Sequence, residues 1–116
     1  MINDSIHLHV GTAEDIGERF VQAWHRAEQG DSTPETHLTF ASLELLLAAL
    51  TPKRLDLLRH VRHHPTASIK ALAVELRRDY KNVHQDVQAL SRVGLLRRTS
   101  HSVIAPYAQV EARFIL

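Results

Sequence analysis

The chain has 116 residues, 44% of them hydrophobic, enough for one domain with a modest core and a small appendage. It holds no cysteine, which excludes disulfides and thiolate metal sites and fits a cytoplasmic location; the opening MINDSIHLHVG lacks the order of a signal peptide, and the longest apolar run, Leu43 to Leu50, is interrupted by Glu44, so no membrane span is expected. The net charge of +1 conceals an acidic part, residues 1–50 with 2 basic and 8 acidic side chains, and a basic part, residues 51–102 with 11 basic and 4 acidic, and a basic module points to a polyanionic partner.

Ser5 to Val10 alternates Ile6, Leu8 and Val10 against Ser5, His7 and His9, the pattern of a half-buried strand ended by Gly11. Thr12 then caps a helix with Glu14 and Asp15 in its first turn, where the helix dipole favours negative charge. Ile16, Phe20, Ala23, Trp24 and Ala27 form one apolar stripe, and Gly30 is a natural stop. Residues 31–35 read as a loop and Thr36 to Phe40 as a second strand, with Leu38 and Phe40 on one face.

Ser42 opens an apolar helix over Leu43 to Leu50, and Thr51-Pro52 marks a break and a restart, Thr at the cap and Pro at the first helical position. The next helix, Lys53 to about His63, sets Leu55, Leu58 and Val61 to one side, and Pro65 ends it. Ser68 caps a helix burying Ile69, Leu72, Ala73 and Leu76; Arg77-Arg78 is a turn; Asp79 caps a last helix burying Val83, Val87 and Leu90 and ending at Gly94. Leu95 to Thr99 and Val103 to Ala105 are two strands around the tip Ser100-His101-Ser102, and Val110 to Leu116 is a weak terminal strand.

Residues 67–98 thus carry the spacing of a helix-turn-helix: a small residue at the helix crossing, Ala73, with apolar Val83 ten positions on and Val87 a turn beyond. Gly94 and a basic hairpin follow at once, which predicts a wing. The turn position that favours Gly holds Arg77, and a Cβ in a left-handed turn is costly, so a more open turn is expected. The expected fold class is α+β, mainly α: a winged helix-turn-helix over residues 41–116 with a strand–helix–strand extension over residues 1–40 for dimerisation or partner contact.

Such a unit reads duplex DNA by laying its second helix in the major groove. Lys81, Asn82 and Gln85 are the base-reading candidates, because Asn and Gln pair with adenine and Lys with guanine. Tyr80 and His84 lie beside them, with Gln88 at the fringe. Lys70, Arg77 and Arg78 are placed for phosphates, and Arg97, Arg98 and His101 put the wing on the backbone or in the minor groove, with Arg62 at the rim. The stripe with Phe20 and Trp24 suits burial against a second copy, and a two-fold dimer matches a palindromic site.

The words LTF, LTPKRLDLL, SIKALA, RDYKNVHQDVQAL and GLLRR resemble, over about half the chain, small bacterial and archaeal predicted transcriptional regulators with a MarR-like winged helix; APYAQVEARFIL continues the resemblance more weakly. Members of that group are often encoded beside a small toxin of the TumE type. The resemblance implies a DNA-binding regulator, an autoregulatory repressor, or alternatively an antitoxin that neutralises a toxin by protein contact.

Catalysis is not expected: there is no glycine-rich phosphate loop, no nucleophile–base pair and no paired carboxylate. Nor is a cofactor or metal expected. His60, His63 and His64 lie close in sequence with no acidic neighbour, and His7 and His9 sit on the wet face of the first strand.

Overall fold

The computed structural model describes residues 4–31 and 36–116; the loop expected over residues 31–35 lies outside them apart from Asp31. In chain order the elements are β1 (Ser5–Val10), α1 (Ala13–Glu28), β2 (Thr36–Phe40), α2 (Leu43–Ala49), α3 (Pro52–His63), α4 (Ile69–Leu76), α5 (Tyr80–Arg92), β3 (Arg97–Arg98), β4 (Val103–Ile104) and β5 (Gln109–Arg113). This is a small mixed α/β fold, and it divides into two compact units: Met1–Leu46 with Gln109–Leu116, and Leu47–Ala108.

The first unit is built on a three-stranded parallel sheet in the order β2-β1-β5. The terminal strand, expected as part of the domain over residues 41–116, adds instead to the edge of β1 in the first unit, with Ile6 opposite Val110 and Leu8 opposite Ala112. Alternation along β1 separates two faces. Ile6 and Leu8 are buried on one, while His7, His9, His37, Thr39, Glu111 and Arg113 share the other by register.

Thr12 starts α1 with a reciprocal cap: its hydroxyl accepts from the Asp15 N–H, and its own N–H donates to Asp15 Oδ2 at 2.7 Å. The Thr12 N–H first, then its hydroxyl donating to the same Oδ2 at 3.1 Å, hold the Asp15 carboxyl below its usual range. The helix turns its polar side to the histidine face of the sheet, where Arg19 Nη2 donates to Thr39 Oγ1. Its apolar stripe therefore points outward: Phe20 is 67% and Trp24 59% exposed, and α1 has no buried residue.

The second unit contains α3, α4, α5 and the β3–β4 hairpin. Thr51, Ser68 and Asp79 each accept an N–H of the first turn of α3, α4 and α5 respectively, the capping their residue types favour. The core is drawn from Leu57, Leu58 and Val61 of α3, Ile69, Leu72 and Ala73 of α4, Val83, Val87 and Leu90 of α5, and Leu95, Leu96, Val103 and Ala105 around the hairpin. In α3 Leu57 occupies the place expected of Leu55, which is only partly covered. Leu76, expected on the inner face of α4, is partly covered as well.

The turn between α4 and α5 is tight rather than open. Arg77 adopts φ 55 and ψ 45, the sole non-glycine residue with positive φ among the described residues. The Arg77 N–H donates to the Val74 carbonyl at 3.1 Å and the Arg78 N–H to the Ala73 carbonyl at 3.0 Å. This paired closure satisfies carbonyls at the end of α4 and offsets the strain of a Cβ there. Gly94, at φ 84, reverses the chain after α5.

A small polar cluster fastens the hairpin to the helices. Thr66 and Val103 exchange backbone bonds of 2.7 and 3.3 Å. The Thr66 hydroxyl donates to Glu75 Oε2 at 2.6 Å, and Glu75 Oε1 meets His60 Nε2 at 3.0 Å. The Thr66 bond first, then the one from His60, holds the Glu75 carboxyl below its usual range.

Candidate nucleic-acid interface

The α5 helix has two opposite sides. Val83, Val87 and Leu90 are completely buried, so they fix the helix against its own unit. A half turn away, Lys81, Asn82, Gln85 and Gln88 are exposed, a spacing that stacks them on one outward ridge. At ~1.5 Å per residue the 13-residue helix offers about 20 Å of length.

Tyr80, 51% exposed, stands at the start of the helix with its ring 5.7 Å from that of partly covered His84. Lys70 and Arg77 are exposed on α4 and its turn. Arg97, Arg98 and His101 are exposed on the hairpin. The tip is braced: Thr99 N–H donates to the Ser102 carbonyl at 2.8 Å, and the His101 N–H to Thr99 Oγ1 at 3.2 Å. Arg92, which the sequence reading leaves out of the interface, is exposed in the last turn of α5; it follows Gln85 by seven residues, and that spacing alone puts it on the same ridge.

Arg78 is placed differently from expectation. It is not a free phosphate ligand: its side chain is 20% exposed and Nη2 donates to Asp86 Oδ2 at 2.7 Å. Asp86 Oδ1 accepts from Arg54 Nε at 3.0 Å, and Arg54 Nη1 reaches the carbonyls of Ala48 and Ala49 at 2.9 and 3.3 Å. A single carboxylate thereby ties α5 to α3 and to the α4–α5 turn. Arg62 likewise has a structural contact, donating from Nη1 to the Ala105 carbonyl at 3.2 Å.

Of the histidines, His60 has the acidic neighbour the sequence did not reveal, Glu75, and its ring lies 5.2 Å from that of His64. In the first unit His7 Nδ1 meets Glu111 Oε2 at 2.9 Å, His9 Nε2 meets His37 Nδ1 at 2.8 Å, and the His7 and His37 rings stack at 5.2 Å. They line an open cleft of about 640 Å³ with Asp15, Glu18, Arg19 and Arg113. Partial burial, then Arg19 and the other cations around it, hold His9 below its usual pKa. The clustering is hidden in the sequence because His37 reaches β1 only through parallel pairing.

No curated protein and no solved structure matches the chain. One family model does, over residues 49–112, the stretch from the end of α2 through most of β5. Because that match covers more than half of the 116 residues, the chain belongs to the HVO_A0114 family.

Proposed function

We propose that the second unit is a winged helix-turn-helix and that the protein is a transcriptional regulator binding double-stranded DNA, an autoregulatory repressor. The observation that carries this is the polar ridge Lys81, Asn82, Gln85 and Gln88, displayed on a helix whose opposite side is completely buried. A rigid helix with amide and ammonium tips in a row suits the donor and acceptor pattern of a major groove. The order helix, Thr66 bridge, helix, tight turn, helix and basic hairpin supports the winged assignment, as does the resemblance of this stretch to MarR-like regulators. Lys70, Arg77, Arg97 and Arg98 lie around the ridge in sequence and are exposed for phosphate contact.

The test is fluorescence anisotropy with duplex DNA from immediately upstream of the protein's own reading frame. Lys81→Ala and Gln85→Ala each lower affinity by about tenfold to a hundredfold, the ~1–3 kcal/mol of a good base contact, with circular dichroism unchanged. Binding weakens with salt at a log–log slope of about −0.9 per phosphate neutralised. Unaltered binding by Lys81→Ala combined with Gln85→Ala, or binding insensitive to salt, refutes the reading.

A further inference from the structure

We infer that the exposed stripe of α1 is the contact surface for a second copy of the chain, packed antiparallel about a dyad at Phe20. The inference is independent of DNA binding. It starts from an inversion: α1 faces its sheet across the open cleft with Asp15, Glu18, Arg19 and Gln22, and leaves Ile16, Phe20, Val21 and Trp24 between 50% and 67% exposed. An amphipathic helix gains most of its stability from covering its apolar side, and here that side remains open.

The size of the stripe fits a weak, specific dimer. Aromatic side chains carry about 150–250 Å² each, so Phe20 and Trp24 leave roughly 250 Å² open at their 67% and 59% exposure. With Ile16 and Val21 the patch reaches about 400 Å², a size that on a monomer is often functional. Two such patches remove about 800 Å², below the ~1,200 Å² of firm interfaces. Association is therefore reversible and concentration-dependent.

The stripe is also complementary to itself. Ile16 and Trp24 lie equally far on either side of Phe20, so an antiparallel partner sets each isoleucine against the other copy's indole. The same operation brings Gly17 level with Ala23 of the second copy. A Cβ added at Gly17 meets nothing within 4 Å, so nothing around it in the chain requires a glycine there, although glycine within a helix costs about 1 kcal/mol. A neighbouring helix crossing at that point supplies a use for it. The helix dipoles favour this direction: antiparallel partners set the positive end of one helix beside the negative end of the other, whereas a parallel pair sets like ends together.

Sedimentation velocity on the full chain tests the inference. The wild type shifts from 13.1 kDa to twice that mass as concentration rises into the tens of micromolar, and Phe20→Glu stays monomeric with an unchanged circular dichroism spectrum. A second variant reads the geometry. The chain has no cysteine, so Phe20→Cys, at the dyad, forms a disulfide-linked dimer under mild oxidation, while Val74→Cys, an exposed position in the other unit, crosslinks at least tenfold more slowly. A wild type that remains monomeric throughout assigns the stripe to a different occupant and overturns the proposal. So does a dimer that Phe20→Glu leaves intact, or equal crosslinking at the two positions.

Discussion

Replacing Asp86 by alanine tests how the second unit holds α5 in place. The carboxylate is 14% exposed and accepts from Arg54 and Arg78, which are 18% and 20% exposed. Each charge-assisted bond is worth about 1.5–3 kcal/mol, so outright loss of both is about 3–6 kcal/mol. The guanidiniums are not sealed off; they turn partly toward water, and Arg54 keeps its bonds to Ala48 and Ala49. The expected cost is therefore about 3 kcal/mol, at the low end for breaking a buried pair. A unit of this size has roughly 3–9 kcal/mol in all, at ~0.05–0.15 kcal/mol per residue. Urea unfolding followed by far-UV circular dichroism reads the change as a midpoint lowered by about 2 M, given an m-value near 1–2 kcal/mol/M. Fluorescence of the lone tryptophan, Trp24, reports on the first unit and serves as an internal reference. A double-mutant cycle with Arg78→Ala gives a coupling of about 1–2 kcal/mol. A loss below about 1 kcal/mol, or no coupling, means that the three side chains act independently and that the argument is wrong.

Arg77→Gly separates strain from binding: relief of the left-handed turn leaves stability unchanged or raises it by up to ~1 kcal/mol, while DNA affinity falls and the salt slope loses about one unit; a clear loss of stability refutes it. Acidification weakens the first unit, because partial burial first, and then Arg19, His37, His7 and Arg113, favour the neutral form of His9. An unfolded histidine takes up its proton near pH ~6.5, before the folded one does, so stability falls as pH drops below that value; Trp24-monitored urea midpoints at pH ~7.5 and ~5.5 show it, and His9→Gln flattens the difference. Thr66→Val removes the hydroxyl bond to Glu75 and lowers the unfolding midpoint by an amount equivalent to about 1 kcal/mol, with the Val103 backbone bonds retained; an unaltered midpoint means the hydroxyl contributes nothing.

What is legible in the sequence is local. The caps Thr12, Thr51, Ser68 and Asp79 stand where their chemistry places them, and the burial of Val83, Val87 and Leu90 follows from helical periodicity. The losses share a cause, which is distance along the chain. β5 finds β1 by parallel pairing across about a hundred residues, and no alternation pattern states a partner. The stripe of α1 is visible, but amphipathicity identifies the apolar side without saying whether the chain itself covers it. Arg78 reads as a surface cation because Asp86 lies two turns into the next helix and approaches it only once the turn has closed. The turn at Arg77 is tight where an open one is expected, because two carbonyl bonds stabilise a conformation that its side chain alone disfavours.

The division of labour along α5 bears directly on the proposed DNA reading. Each of the inward residues Val83, Asp86, Val87 and Leu90 has a structural role, the three apolar ones filling the core while the carboxylate holds two arginines. On the outer side the side chains of Lys81, Asn82, Gln85 and Gln88 are exposed. The three uncharged amides in this row add no charge to the surface of the helix. Their particular virtue is paired donor and acceptor geometry, which distinguishes one base pair from another. The partly buried ion pairs and the apolar side that clamp the helix hold the outer row in place, as the proposed DNA reading requires.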